Sequence, residues 1–152
     1  MKIYLARHGE YEHSFEGELS RFGEYNITKL RNFLRPLNLP IKKIYQSGVL
    51  RAQQTADILA TAFSPDVPVE YRQGLNPVDD IQNLLSEINT TPENLLVVGH
   101  LPFMNKLIGK MVNNEEHQEL TLMQPGTMLC LDKIDESKWI IEWMISPQIL
   151  PE

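Results

Sequence analysis

Residues 95–103 read Leu95-Leu96-Val97-Val98-Gly99-His100-Leu101-Pro102-Phe103. Four consecutive apolar residues are too few for a helix and lack the alternation of a strand with one wet face. Such a run fits a parallel strand covered on both sides. Gly99-His100 follows as a turn, and Pro102 suits the first position of the next helix, where its missing N–H costs nothing. Phe103, Leu107, Ile108 and Met111 fall on one face of that helix.

The same strand-turn-helix unit recurs on both sides of this stretch. Ile3 to Ala6 reads as a first strand, and the spacing of Ile27, Leu30, Phe33, Leu34 and Leu37 predicts a helix from about Ser20 to Leu37. Pro36 falls near its end, where it helps to stop it. Lys43 to Gln46 reads as a second strand, Ser47-Gly48 as a turn and candidate N-cap. Ala52, Ala56, Leu59, Ala60 and Phe63 mark a helix with one narrow apolar face. Val67 to Tyr71 follows as a third strand, and Ile81, Leu84, Leu85 and Ile88 as a short helix. Thr127 to Leu131 and Trp139 to Ile145 flank a turn at Asp135-Glu136-Ser137, as in an antiparallel hairpin closing the sheet. The expectation is an α/β fold: a three-layer α/β/α sandwich, with a mostly parallel central sheet and a C-terminal antiparallel hairpin.

The 152 residues carry no repeat, low-complexity tract or linker, so residues 1–152 are expected to form one domain. Hydrophobic residues make up 42% and charged residues 22%, which is the globular range. A net charge of -6 argues against a nucleic-acid or anionic-membrane surface, and it makes local arginines more informative. The single cysteine, Cys130, permits no internal disulfide and sits in the apolar run 128–131, as a core residue would. No segment approaches the roughly 20 apolar residues of a membrane span. Met1-Lys2 leads straight into a strand with no signal-peptide core. A cytoplasmic location is the expectation.

Three strand-to-helix junctions carry unusual residues: Arg7-His8-Gly9, then Ser47 with Arg51, then Gly99-His100. Open α/β sheets bind ligands outside the carboxyl ends of their strands, where helix N-termini favour anions. Each residue alone has a structural reading: a strand-end histidine, a surface ion-pair arginine, a capping serine. Jointly, two arginines and two histidines at successive strand ends describe a phosphate site.

Arg7-His8-Gly9 behind an N-terminal strand resembles the signature of the histidine phosphatase, or phosphoglycerate-mutase-like, superfamily. The stretch Ser47-Gly48-Val49-Leu50-Arg51-Ala52-Gln53-Gln54-Thr55-Ala56 is similar to its second motif, and Val98-Gly99-His100 to its third. Gly99-His100-Leu101-Pro102-Phe103, the ending Trp143-Met144-Ile145-Ser146-Pro147 and the small size resemble the SixA-type phosphohistidine phosphatases. The resemblance runs from Met1 to Pro147. It implies that His8 attacks phosphorus and becomes a transient phosphohistidine. Arg7, Arg51 and His100 bind the phosphoryl oxygens, without cofactor or metal. The implied substrate is a phosphorylated protein, specifically a histidine-containing phosphotransfer protein of a bacterial signalling or sugar-transport relay, with phosphate as product.

One departure bears on the substrate. Many superfamily members carry a Glu after the third strand, where this chain reads Gly74-Leu75-Asn76-Pro77. Asn76 cannot protonate an alkoxide leaving group, whereas imidazole is readily protonated near neutral pH. Glu10, Glu12, Asp79 and Asp80 are the available substitute acids. The competing readings are a broad-specificity small phosphomonoesterase, a phosphoprotein-binding module without turnover, and a metal site on His8 and His100. A mutase fits less well, because long insertions around the site are missing.

Overall fold

Alternation along each strand decides which helices it faces, and it builds the core in two halves. The computed structural model describes residues 1–152. Its six strands are β1 (Lys2–Arg7), β2 (Lys43–Gln46), β3 (Val69–Tyr71), β4 (Leu95–Gly99), β5 (Met128–Asp135) and β6 (Lys138–Ile145). Its four α-helices are α1 (Arg21–Leu34), α2 (Leu50–Ala60), α3 (Gln82–Thr90) and α4 (Phe103–Asn113). The odd-numbered residues Ile3, Leu5, Leu95, Val97, Leu129 and Leu131 pack against α3 and α4. The even-numbered Tyr4, Ala6, Leu96, Val98, Met128 and Cys130 pack against α1 and α2. Both faces of the central strands are therefore covered, as the apolar run 95–98 requires.

The six strands form one sheet in the order β3-β2-β4-β1-β5-β6. The β3-β2, β2-β4 and β4-β1 pairs are parallel, while β5 joins β1 antiparallel and carries β6 as a hairpin. The expected three-layer α/β/α sandwich, with its C-terminal hairpin, is what forms. Strand order reverses at β1, so the chain leaves β1 for β2 and returns to β4 between them. That reversal opens a crevice above the carboxyl ends of β1 and β4.

Several element boundaries differ from the sequence reading, most by one residue, and three of the differences have a local cause or consequence. Helix α1 stops at Leu34 and not Leu37, because Pro36 turns Arg35–Leu37 into a 3-10 segment. Strand β3 covers only Val69–Tyr71; Pro68 has no N–H for the ladder and offers its carbonyl to the Ile44 N–H instead (2.9 Å). Asp135 belongs to β5, leaving Glu136-Ser137 as the turn. No helix is long and apolar enough to cross a membrane.

The entry to α1 fixes the loop that follows β1. Ser20 caps the helix by accepting the Gly23 N–H (3.0 Å), and its own N–H donates to the Glu10 carbonyl (3.0 Å). A Cβ on Gly23 would stand 2.1 Å from that carbonyl oxygen. Gly23→Ala is therefore expected to lower stability by about 1–3 kcal/mol, although alanine is the better helix former. Chemical denaturation measures it; an unshifted midpoint would show that the loop moves aside at no cost.

Candidate active site

Register brings the two histidines together. β1 and β4 run parallel with Arg7 opposite Gly99, so His8 and His100 are the next residues on adjacent strands. Both have even parity and emerge on the α1/α2 side. Their ring centroids lie 5.1 Å apart, and the two residues are only 5% and 1% exposed. The His8 N–H donates to the Gly99 carbonyl (3.0 Å), which locks the two strand ends together.

His8 Nδ1 lies 2.9 Å from the carbonyl oxygen of Gly9. A carbonyl only accepts, so Nδ1 carries the proton and Nε2 keeps a free lone pair. Gly9 is held in turn by Thr55 of α2, whose Oγ1 accepts the Gly9 N–H (3.0 Å) and donates to the Arg51 carbonyl (2.8 Å). The His8 backbone is thus fastened to the helix that carries Arg51.

Arg7 and Arg51 both stand near enough to disfavour a charge on either histidine. Arg7 has odd parity, and its guanidinium donates to the Met123 carbonyl (2.7 Å) in the segment before β5. Arg51 is the second residue of α2, so the positive end of the helix dipole adds to its charge. Its guanidinium lies over the Tyr11 ring at 4.2 Å, and Tyr11 meets His8 edge-on at 5.4 Å. His100 Nε2 is 2.7 Å from Ser47 Oγ. The Nε atoms of Arg7 and Arg51 and Nδ1 of His100 are buried without a protein partner. Buried polar atoms are rarely left unpaired, and guanidinium N–H groups pair best with anionic oxygens.

Burial pushes both imidazoles down to about 4, with the neighbouring guanidiniums contributing. His8 and His100 are therefore neutral at pH 7, and His8 presents a lone pair rather than a proton. Between the folded value near 4 and the ordinary 6.5, the unfolded chain binds protons here that the folded chain refuses. Stability accordingly falls as pH drops through that window. In the unliganded protein the His8 and His100 ring resonances should not titrate between pH 8 and about 5 by NMR. A midpoint near 6.5 for either ring would contradict the buried, cation-flanked geometry.

The structure brings together all four residues singled out from sequence: Arg7, His8, Arg51 and His100. Ser47 does not cap α2, whose N-cap is Val49; its hydroxyl faces His100 and also accepts the Val49 N–H (3.3 Å). Asn76 shares an open depression with Ser47, Gln53 and Tyr71. Three of the four substitute acids are engaged elsewhere. Glu10 accepts from Ser20 Oγ (3.0 Å), Asp79 from the Asn76 N–H (2.8 Å) and Asp80 from the Gln82 N–H (2.9 Å). No set of three His, Cys, Asp or Glu side chains gathers at the site. Thr55 belongs to the motif-like stretch 47–56 but was given no role of its own, although it stands one helical turn after Arg51. Tyr11 escaped the sequence reading, since it lies in an irregular loop and gives no periodic signal.

Residues 3–80 match the family model of the histidine phosphatase superfamily (branch 1). An uncharacterized protein of Picosynechococcus is 29% identical over 136 residues, covering 83% of this chain and 82% of that protein. The 6-phosphofructo-2-kinase/fructose-2,6-bisphosphatase 1 of Mus musculus is 35% identical over 83 residues, 51% of this chain but only 16% of the mouse protein. The structure of the protein histidine phosphatase SixA complexed with tungstate superposes with a TM-score of 0.84 at 20% identity, over 97% of this chain and 98% of that one.

Proposed function

The chain belongs to the histidine phosphatase superfamily, and we propose on that footing that it is a metal-independent phosphohistidine phosphatase with His8 as nucleophile. The observation that carries the nucleophile is the Nδ1–H bond to the Gly9 carbonyl, which leaves the Nε2 lone pair free on a ring under the influence of two guanidiniums. In the first step His8 Nε2 bonds to phosphorus as the substrate's P–N bond breaks, and the departing imidazole nitrogen takes a proton from solvent. In the second step water attacks the phosphohistidine, a P–O bond forms as the P–Nε2 bond breaks, the bonding pair returns to Nε2, and the proton lost by the water passes to solvent. Phosphoryl transfer needs positioning and charge neutralisation more than covalent help. Arg7 and Arg51 fork onto the oxygens, and the unspent Nδ1 of His100 donates to another. In this reading Ser47 donates to His100 Nε2 and so holds the proton on Nδ1.

The absence of a carboxylic acid at Asn76 supports a P–N over a P–O substrate. Imidazole leaves near neutral pH with little help, and an alkoxide does not. The substrate is a histidine-phosphorylated protein, such as a histidine-containing phosphotransfer protein in the cytoplasm, and phosphate is released. Resemblance over 83 residues to a bifunctional kinase/bisphosphatase favours a second reading, a broad-specificity phosphomonoesterase. Parallel assays decide between them. A phosphohistidine peptide should be turned over at least ~100-fold faster, by kcat/KM, than a simple alkyl phosphate, in line with the worth of a general acid. Equal rates would favour the phosphomonoesterase.

A further inference from the structure

Five loops meet at the carboxyl edge of the sheet: residues 8–19, 47–49, 72–81, 100–102 and 121–127. They carry the most exposed apolar side chains of the chain outside its C-terminal tail. Phe15 is 104% exposed, Val78 80%, Leu122 75% and Tyr71, at the end of β3, 62%. Each is tied to the pocket by a neighbour. Phe15 tips the loop whose Tyr11 covers Arg51, and Leu122 adjoins the Met123 carbonyl that holds Arg7. Tyr71 packs on Gly48 and shares the depression with Asn76, two residues before Val78. Isolated exposed apolar residues need no explanation, but a ring of them around one pocket marks an interaction surface.

Charge on the same loops is one-sided. They carry Glu10, Glu12, Glu16, Glu18, Asp79 and Asp80, and outside the pocket their basic residues are His13 and Arg72, the latter bound to Glu87. The first turns of α1 and α4 add Arg21 and Lys106 against Glu24. A cationic pocket is thus set inside an acidic, apolar-tipped rim. Such a rim repels free phosphate anions and rewards a carrier whose surface is basic around the phosphorylated residue.

We propose that this rim is the docking surface for a phosphoprotein that presents an apolar patch and basic side chains around its phosphorylated residue. The inference rests on the phosphatase reading and specifies the substrate class of the same site. Apolar contact supplies affinity, and opposite charge supplies encounter rate and discrimination.

Two phosphohistidine peptides of equal length test it, one flanked by Leu and Lys, the other by Leu and Glu, with p-nitrophenyl phosphate as the reference for the pocket. The Lys peptide should exceed the Glu peptide by at least ~10-fold in kcat/KM at low salt, and the gap should shrink in high salt. E16K/E18K should narrow or reverse it. Phe15→Ser and Leu122→Ser should each lower the Lys-peptide kcat/KM relative to p-nitrophenyl phosphate several-fold, through KM and not kcat. Equal rates for the two peptides, or ratios untouched by these variants, would overturn the docking surface. Turnover of p-nitrophenyl phosphate with neither peptide cleaved would sink the phosphohistidine reading alone. The rim would then be judged on Lys- and Glu-flanked phosphotyrosine peptides, where equal rates would again overturn it.

Discussion

Alanine at His8 is expected to abolish phosphatase turnover, with kcat falling on the order of 10^4-fold or more, as for other removed nucleophiles. The loss should be chemical rather than structural. His8 closes no helix and sits at a strand end, where its backbone N–H still bonds the Gly99 carbonyl in the variant. Its ring holds one hydrogen bond, to Gly9, whose N–H remains fixed by Thr55. Circular dichroism and the unfolding midpoint should therefore stay close to those of the parent. A labelled phosphoprotein should leave an acid-labile, base-stable phosphate on the parent chain and none on His8→Ala. Retained turnover would remove His8 from the nucleophile's role. A parent chain that binds the phosphoprotein yet never becomes labelled would favour the binding-module reading instead.

The layers were legible because strands and helices here bury whole faces. The run 95–98 has no wet side, and parity along β1, β4 and β5 sorts odd residues to one core and even residues to the other. The same parity, carried past Ala6 and Val98, puts His8 and His100 on one face, but it does not place Arg7, whose guanidinium bonds the Met123 carbonyl and still acts on both imidazoles. Boundaries were less legible where local chemistry competed with periodicity. Pro36 cut α1 although Leu37 continued its apolar spacing, and Pro68 shortened β3. Ser47 was misread for a related reason. A serine before a helix reads as a cap, and nothing local reveals a histidine 53 residues away at 2.7 Å. Tyr11 lay equally hidden, because a loop residue stacked on an arginine is placed by tertiary contacts and not by any repeat. The docking rim is of the same kind. Phe15, Val78 and Leu122 belong to no periodic face, and only the convergence of loops at one sheet edge makes them neighbours of one pocket.

Glutamate at Asn76 should convert the protein toward ester hydrolysis, raising kcat/KM for alkyl phosphates by about 10- to 100-fold. Asn76 is exposed and shares its depression with Ser47, the hydrogen-bond partner of His100, so a carboxyl there stands at the flank of the proposed phosphate site. The adjoining Leu75 is buried, with its carbonyl 3.8 Å from where a Cβ on Gly99 would lie, so the loop is anchored against the end of β4. The Asn76 backbone N–H already bonds Asp79, and the substitution leaves that turn intact. An alkoxide must be protonated as it leaves, and the new acid supplies that proton; imidazole gains little from it. Phosphohistidine turnover should therefore change far less than ester turnover, and ester activity should acquire an alkaline limb where the new carboxyl loses its proton. The ratio of the two activities is the decisive quantity, because it cancels any general loss from a disturbed loop. A folded Asn76→Glu variant with an unchanged ratio would mean that proton supply does not set the preference. The choice between phosphorus–nitrogen and phosphorus–oxygen bonds would then have to lie in how the rim presents the substrate to His8.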